Sequence, residues 1–315
     1  MLKPEKLLPY YRHGSQTPWG GTRLKSLYGR DIPDETTGES LEGSAIPGMN
    51  CTLEDGTPFS DYLARWGEKA AGTGVKGPFP LLIKILDARD TLSVQVHPDD
   101  AYAARHGGMG KTEAWYILSA DEGAQLVYGL KDVKSRDDLV HLSQTGALRD
   151  HLRRVSVRPG EVYFIPSGTV HAIGRGIVLY EIQQSSDITY RLYDWDRKDA
   201  QGRLRPLHVQ QAADVADLDF SGVAVAPRRL SGTREQLLRE RFFSLQRIHD
   251  ARGEELPPEP ERFRLLTALR RSVLTGEGFR MELSPAETVF LPAGMGPAAL
   301  DTDECLLAYP TLEDL

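Results

Sequence analysis

The chain has 315 residues, is 40% hydrophobic and 26% charged, and carries a net charge of −7. That length buries a full core as one large or two ordinary domains, and the composition is that of a globular protein rather than a disordered one. The acidic balance excludes a general nucleic-acid footprint and gives no attraction to anionic membrane, and two cysteines far apart, Cys51 and Cys305, exclude a disulfide framework or a cysteine zinc cluster.

No charged-then-apolar leader opens the chain and no apolar run approaches ~18 residues, so the expected location is the cytoplasm. Residues 1–50 are rich in Gly, Pro and turn formers, with Trp19-Gly20-Gly21 and Gly38-Glu39-Ser40. They read as short strands and loops wrapped over a later core. A short helix is expected from Pro58 to Lys69 around Tyr62, Leu63 and Trp66. Phe79 to Leu86 is apolar apart from Lys84, as in a buried strand, with the lysine either snorkelling at a strand end or facing a polar cavity. From Leu92 the pattern alternates, which puts Gln95 and His97 on one face with Ser93 in line behind them. Pro98 ends that pairing. A Gly-rich crossing, His106 to Gly110, then delivers Lys111-Thr112-Glu113 to the next apolar run, Ala114 to Leu118.

Gln125 to Tyr128 is a further strand candidate. Residues 132–153 read as a helical insertion, with Asp132 and Ser135 as candidate caps, leucines at 139, 142, 148 and 152, and an interruption near Gly146. Val157 to Ile173 is turn, strand, Pro-Ser-Gly turn and a second strand carrying His171. Residues 178–183 and 189–194 alternate again. Short strands joined by Gly/Pro turns over 80–195, with one helical insertion, predict a mainly β sandwich or barrel.

There is an internal echo. Residues 157–168 and 283–294 share Pro, Glu, Phe, Pro and Gly at the same offsets, which predicts two copies of one β unit. Where the first copy has His171, the second has Pro297, which ligates nothing. The expected division is a metal-binding unit over 1–230 and a metal-free unit over 231–315, meeting near the Gly, Pro and Ser cluster of 221–233. Two histidines and a glutamate from adjacent strands suit zinc with room for water or substrate. The same set suits a non-haem iron oxygenase. His13, His106, His141, His151, His208 and His249 lack comparable company and read as ordinary polar residues.

The spacing Gly160-x5-Pro166-x-Gly168-x2-His171 resembles a motif of the cupin barrels. QVHPDD (95–100), GKTEAWYIL (110–118), PSGTVHAI (166–173), SSDITYRLYDWDR (185–197) and TPWGG (17–21) together resemble the type I mannose-6-phosphate isomerases of the shorter bacterial form. Leu41 stands where many members have tryptophan. The resemblance implies two cupin-type (jelly-roll) β-barrels and one zinc ion per chain held by His97, Glu113 and His171, with Gln95 as a fourth ligand. The implied reaction moves a proton between C2 and C1 of mannose 6-phosphate or fructose 6-phosphate through a cis-enediol. Arg191 matches the family's essential arginine and, being permanently charged, suits the developing oxyanion. Lys111 and Glu181 are the two base candidates. Asp187 is expected to hold the Arg191 loop. For the phosphate, the resemblance points to Ser93, Lys84 and Arg197. The implied partner is a small sugar phosphate, with no nucleic acid and no membrane. An iron-dependent cupin oxygenase and a non-catalytic sugar-binding cupin are the alternatives.

Overall fold

The computed structural model describes residues 1–199 and 201–312. Strands dominate, as the alternating patterns require. A six-stranded antiparallel sheet runs in the order Val162–Ile165, Glu113–Ala120, Ile177–Gln184, Leu81–Ala88, Glu39–Gly43 and Tyr10–Arg12. Facing it, a five-stranded sheet runs Leu152–Ser156, Gln125–Leu130, His171–Ile173, Val94–Val96 and Tyr190–Tyr193. Trp115, Leu126, Tyr128, Tyr163, Ile173 and Leu179 pack together in one buried cluster drawn from both sheets.

Every residue of Leu81–Ala88 is buried because both faces of this strand are covered. Ile83 and Ile85 pack toward the C-terminal unit, and Leu86 and Ala88 pack into the first unit's own core. This double coverage removes the alternation expected of a half-buried strand. It also puts Lys84 in mid-strand, on the interior face with Leu86, and not at a strand end.

The predicted helices are present with shifted limits. Phe59–Trp66 ends where Gly67 takes φ +49°, and a separate turn, Glu68–Ala71, follows. In the insertion, the Ser135 side chain caps Arg136–Thr145 by accepting from the Asp138 amide at 3.1 Å. Gly146 ends that helix at φ +75°, the left-handed conformation a helix terminus favours. Asp132 does not cap, and Leu152 belongs to a strand paired with Leu130, so the helical leucine spacing stops at Leu148. The structure adds a helix at Asp100–Arg105, capped by Asp99, just before the Gly-rich crossing.

Residues beyond 228 form most of a ten-stranded sheet with the path Arg228–Arg229, Arg234–Arg239, Phe243–Leu256, Ala298–Pro310, Arg264–Ala268 and Thr288–Leu291. This repeats the six-stranded order element for element. The echoed turns match too: Gly160 has φ +88° and its counterpart Ala286 φ +68°. The N-terminal segment crosses between the units. Glu5–Leu8 pairs with Thr288–Leu291, and Tyr10–Arg12 pairs with Glu39–Gly43 in the first unit.

Candidate active site

The two sheets of the first unit bring the sequence motifs to one place. His171 stands opposite Gln95 in the five-stranded sheet, and Gln95 stands opposite Arg191 on its other side. Glu113 opens the strand of the six-stranded sheet that pairs with Ile177–Gln184. One ligand atom from each of His97, Glu113 and His171 lies within 4.8 Å of the others, and all three residues are buried.

The hydrogen bonding of this triad is that of a metal cage. His97 Nδ1 donates to the Ile188 carbonyl at 2.7 Å and His171 Nδ1 to the Thr169 carbonyl at 2.9 Å. Each Nε2 lone pair is thereby turned inward. His171 Nε2 is 3.2 Å from Glu113 Oε1, and His97 Nε2 is 3.6 Å from Glu113 Oε2. Both Glu113 oxygens are buried without a hydrogen bond. His171 Nε2 and Glu113 Oε1 are two acceptors facing each other in a dry site, a repulsion that a cation between them removes, whereas His97 Nε2 and Glu113 Oε2 already have the Lys111 ammonium beside them. Burial, with Lys111 as the second cause, holds the His97 imidazole well below its usual pKa, and burial holds that of His171 at about 4. Both are neutral and ligand-competent at pH 7. The residues present therefore fit a divalent ion of the zinc type.

Lys111 Nζ lies 2.8 Å from Glu113 Oε2 and 3.0 Å from His97 Nε2. The Gln95 amide nitrogen lies 3.4 Å from His171 Nε2, so Gln95 ligates only with its amide turned over. Its oxygen accepts from Ser93 Oγ at 3.3 Å, and Arg191 Nε donates to that same hydroxyl at 3.3 Å.

Ser93, Gln95, Lys111 and Arg191 line a cavity of about 220 Å³ whose wall also includes Lys84 and Glu181, and the His-Glu-His triad lies buried next to it behind Lys111 and Gln95. Glu181 Oε2 accepts from the Trp115 indole at 2.9 Å, and Oε1 sits 3.3 Å from Lys84 Nζ. Lys84 is also 3.5 Å from Glu39, and although burial alone would lower its ammonium pKa, the Glu39 and Glu181 carboxylates outweigh that and raise it. Lys84 and Ser93 therefore face the cavity from different sheets. Arg197 is not in the lining: the Thr91 carbonyl, Asp90 and Asp194 hold it behind the pocket. Asp187 pairs with Arg12 at 2.9 Å rather than with Arg191, because the N-terminal strand brings that arginine to the cavity rim.

Three participants lie outside the sequence reading. Arg205 lines the cavity, locked to Asp194 at 2.6 and 2.7 Å. His208 Nδ1 accepts the Arg191 amide at 3.2 Å. Glu39 links Lys84 to Arg12. The one available signal was the density of arginines between 191 and 205. Burial lowers the Arg191 pKa, with Arg205 adding to that and Asp194 opposing it.

A mainly β fold with a buried His-Glu-His triad that fits a divalent ion, next to a cavity of paired charges, defines the class: a β protein with the groups that proton-transfer chemistry uses. The comparisons narrow this. Residues 9–130 match the model of the phosphomannose isomerase type I catalytic domain. The chain is 36% identical to the Bacillus subtilis mannose-6-phosphate isomerase ManA over 311 residues, covering 92% of this chain and 95% of that protein. It is 50% identical to the Streptococcus mutans mannose-6-phosphate isomerase over 202 residues, 62% of this chain and 63% of that one. The crystal structure of a Bacillus subtilis mannose 6-phosphate isomerase superposes with a TM-score of 0.89 at 32% identity, over 98% and 99% of the two chains. The chain belongs to the type I mannose-6-phosphate isomerase family.

Proposed function

We propose that the protein is a mannose-6-phosphate isomerase that interconverts mannose 6-phosphate and fructose 6-phosphate. The observation that carries this reading is the His97, Glu113 and His171 donor set held through Lys111 beside a cavity lined by Lys111, Glu181 and Arg191. An aldose–ketose isomerase needs a base for the C1/C2 proton and positive charge beside the oxygens on which the cis-enediol's charge develops. Those needs are met by separate residues here.

His97, Glu113 and His171 would hold one zinc ion per chain, with Gln95 as fourth ligand. Bound there, zinc supplies Lewis-acid polarisation of the substrate oxygens. Glu181 suits the base: the Trp115 indole fixes one oxygen, and the other is free of hydrogen bonds. Lys111, seated among the donors, suits charge neutralisation at the reacting oxygens. Arg191 supplies a permanent charge to the same end and is positioned by Ser93 and His208. The phosphate is best accommodated at the Ser93 hydroxyl beside Arg191 and Arg205, with Arg197 adding field from behind. Lys84, shared by Glu39 and Glu181, serves chiefly as the countercharge of Glu181.

The chain divides into a catalytic cupin-type unit over 1–230 and a metal-free cupin-type unit over 231–315, whose last three residues lie outside the described ones. No described helix is long and apolar enough to cross a membrane, and a cytoplasmic location completes the proposal.

The test is a coupled assay with mannose 6-phosphate, with and without chelator. Turnover that is lost on chelation and restored by zinc is expected. A well-folded, zinc-loaded protein without isomerisation would overturn the reading.

A further inference from the structure

The second unit repeats the strand order of the first, so each active-site position has a counterpart. Glu113 pairs with Ile165, the echo places Leu291 at the position of Ile165, and Leu291 pairs with Arg264. One residue along, Ala114 opposite Ile182 becomes Leu265 opposite Ala308. Stepping back on the partner strand, Glu181 opposite Lys84 becomes Leu307 opposite Gln246. With Pro297 in place of His171 and Arg264 in place of Glu113, two of the three metal donors are gone. The acid at the centre has become an arginine.

A cavity of about 190 Å³ opens at this place, lined by Arg234, Arg239, Arg262, Arg264, Gln246 and Tyr309 among others, and its one lining carboxylate among the described residues is Glu259. Arg264 is 6% exposed, and its Nη2 donates to the Pro257 carbonyl at 2.9 Å. Its Nε is buried without any hydrogen-bond partner, as is Gln246 Oε1. Arg262 reaches Glu259 at 3.2 Å and lies over the Tyr309 ring at 5.4 Å. Arg234 is neutralised by Glu254 at 2.9 Å. The Tyr309 hydroxyl accepts from Gln246 at 2.7 Å, which leaves its own proton available. Burial pulls the Arg264 guanidinium down to about 10, with Arg234 and Arg262 adding to the effect against Glu259. A buried donor without an acceptor, in an excess of positive charge, is stabilised by an anion. The volume is close to the 220 Å³ of the cavity beside the His-Glu-His triad, so the anion is no larger than a small sugar phosphate.

We propose that the second unit holds a phosphate-type dianion, free or on a short sugar, at Arg264, Arg262 and Arg239. It is a site separate from the catalytic one, built by reversing the charge of the same cradle. A phosphate there accepts from Arg264 Nε and the Arg262 and Arg239 guanidinium groups, with the Tyr309 hydroxyl as a neutral donor.

The probe is inorganic phosphate, measured by equilibrium dialysis on the zinc-loaded full chain. Wild type should bind a second equivalent that the Arg239→Ala/Arg262→Gln double variant loses or binds at least tenfold more weakly. Arg239 is exposed and Arg262 half-buried, so the double change leaves the packing intact. Its kcat and KM for mannose 6-phosphate should stay within twofold. Arg264→Met should show the same selective loss. Fructose 6-phosphate displacing phosphate from this site assigns it to a sugar phosphate, and failure to displace assigns it to the free ion. Equal phosphate binding by wild type and both variants overturns the proposal, whatever becomes of the catalytic assignment.

Discussion

Replacing Lys84 by Met separates two roles that its position in the cavity wall allows. Methionine keeps the length and the apolar stem and removes only the charge. Lys84 Nζ lies 3.3 Å from Glu181 Oε1 and 3.5 Å from Glu39 Oε2, and neither of those oxygens has a hydrogen bond to fall back on. Removing one partner of a buried ion pair costs about 3–5 kcal/mol, because the other charge is stranded. The lower end applies here, since Glu39 keeps Arg12 at 3.6 Å. About 3 kcal/mol lowers the melting temperature of a chain this size by roughly 4–5 °C. The raised Lys84 pKa sets the window: its stabilisation is complete below the unfolded value of about 10.4 and is lost only as pH rises through the folded value. The wild-type/variant difference should therefore be constant from pH 6 to pH 9. Because Glu181 loses its countercharge, turnover should fall by a similar factor on mannose 6-phosphate and on free mannose. Thermal scans together with rates on both sugars decide the matter. An unchanged melting temperature with a loss confined to mannose 6-phosphate would refute the ion-network reasoning and make Lys84 a phosphate ligand.

Three further outcomes are expected. His97→Ala and His171→Ala should each abolish zinc retention and activity together, checked by metal analysis; full occupancy in both would remove these residues from the metal site. Arg191→Ala should retain zinc and fold while kcat drops by roughly two to three orders of magnitude, and near-normal turnover would exclude it from the chemistry. In the chelated protein the depressed histidine pKa values make stability greatest above about pH 6.5 and progressively lower as pH falls toward 4, where the unfolded chain takes up protons that the folded one refuses. His171 alone contributes about 3 kcal/mol across that range, so His171→Gln should flatten the pH dependence of the melting temperature, and an equally steep profile would contradict the assignment.

Much of the site could be read locally. The Gln95/His97 alternation, the turn before His171 and the short step from Lys111 to Glu113 are properties of neighbouring residues, and strand geometry alone carries them to one face. The Ser135 cap and the Gly146 stop were legible for the same reason. Pairings across the chain were not. Lys84 looks like a snorkelling lysine until Glu39, 45 positions earlier, is laid beside it by the strand order of the six-stranded sheet. His208 looks ordinary until its segment folds back on Arg191. Asp187 sits four residues from Arg191 yet bonds Arg12, because the nearest cation in space comes from the N-terminus. Leu152 fits a helical spacing that Gly146 had already ended.

The crossing of the N-terminal segment has a consequence for how the molecule assembles. Glu5 pairs with Phe290 and Tyr10 with Leu41, so a few residues at the start of the chain join both units. During synthesis the first unit can collapse early and Glu5–Leu8 can pair along one edge with Thr52–Leu53, but its other edge stays open until the residues near 290 have left the ribosome. Contacts this remote in sequence form slowly, and an unpaired strand edge is prone to mispairing while it waits. Closing that open edge against Thr288–Leu291 joins the two units late, and the rate of that step should respond to changes in Glu5–Leu8 that leave the cage and its cavity untouched.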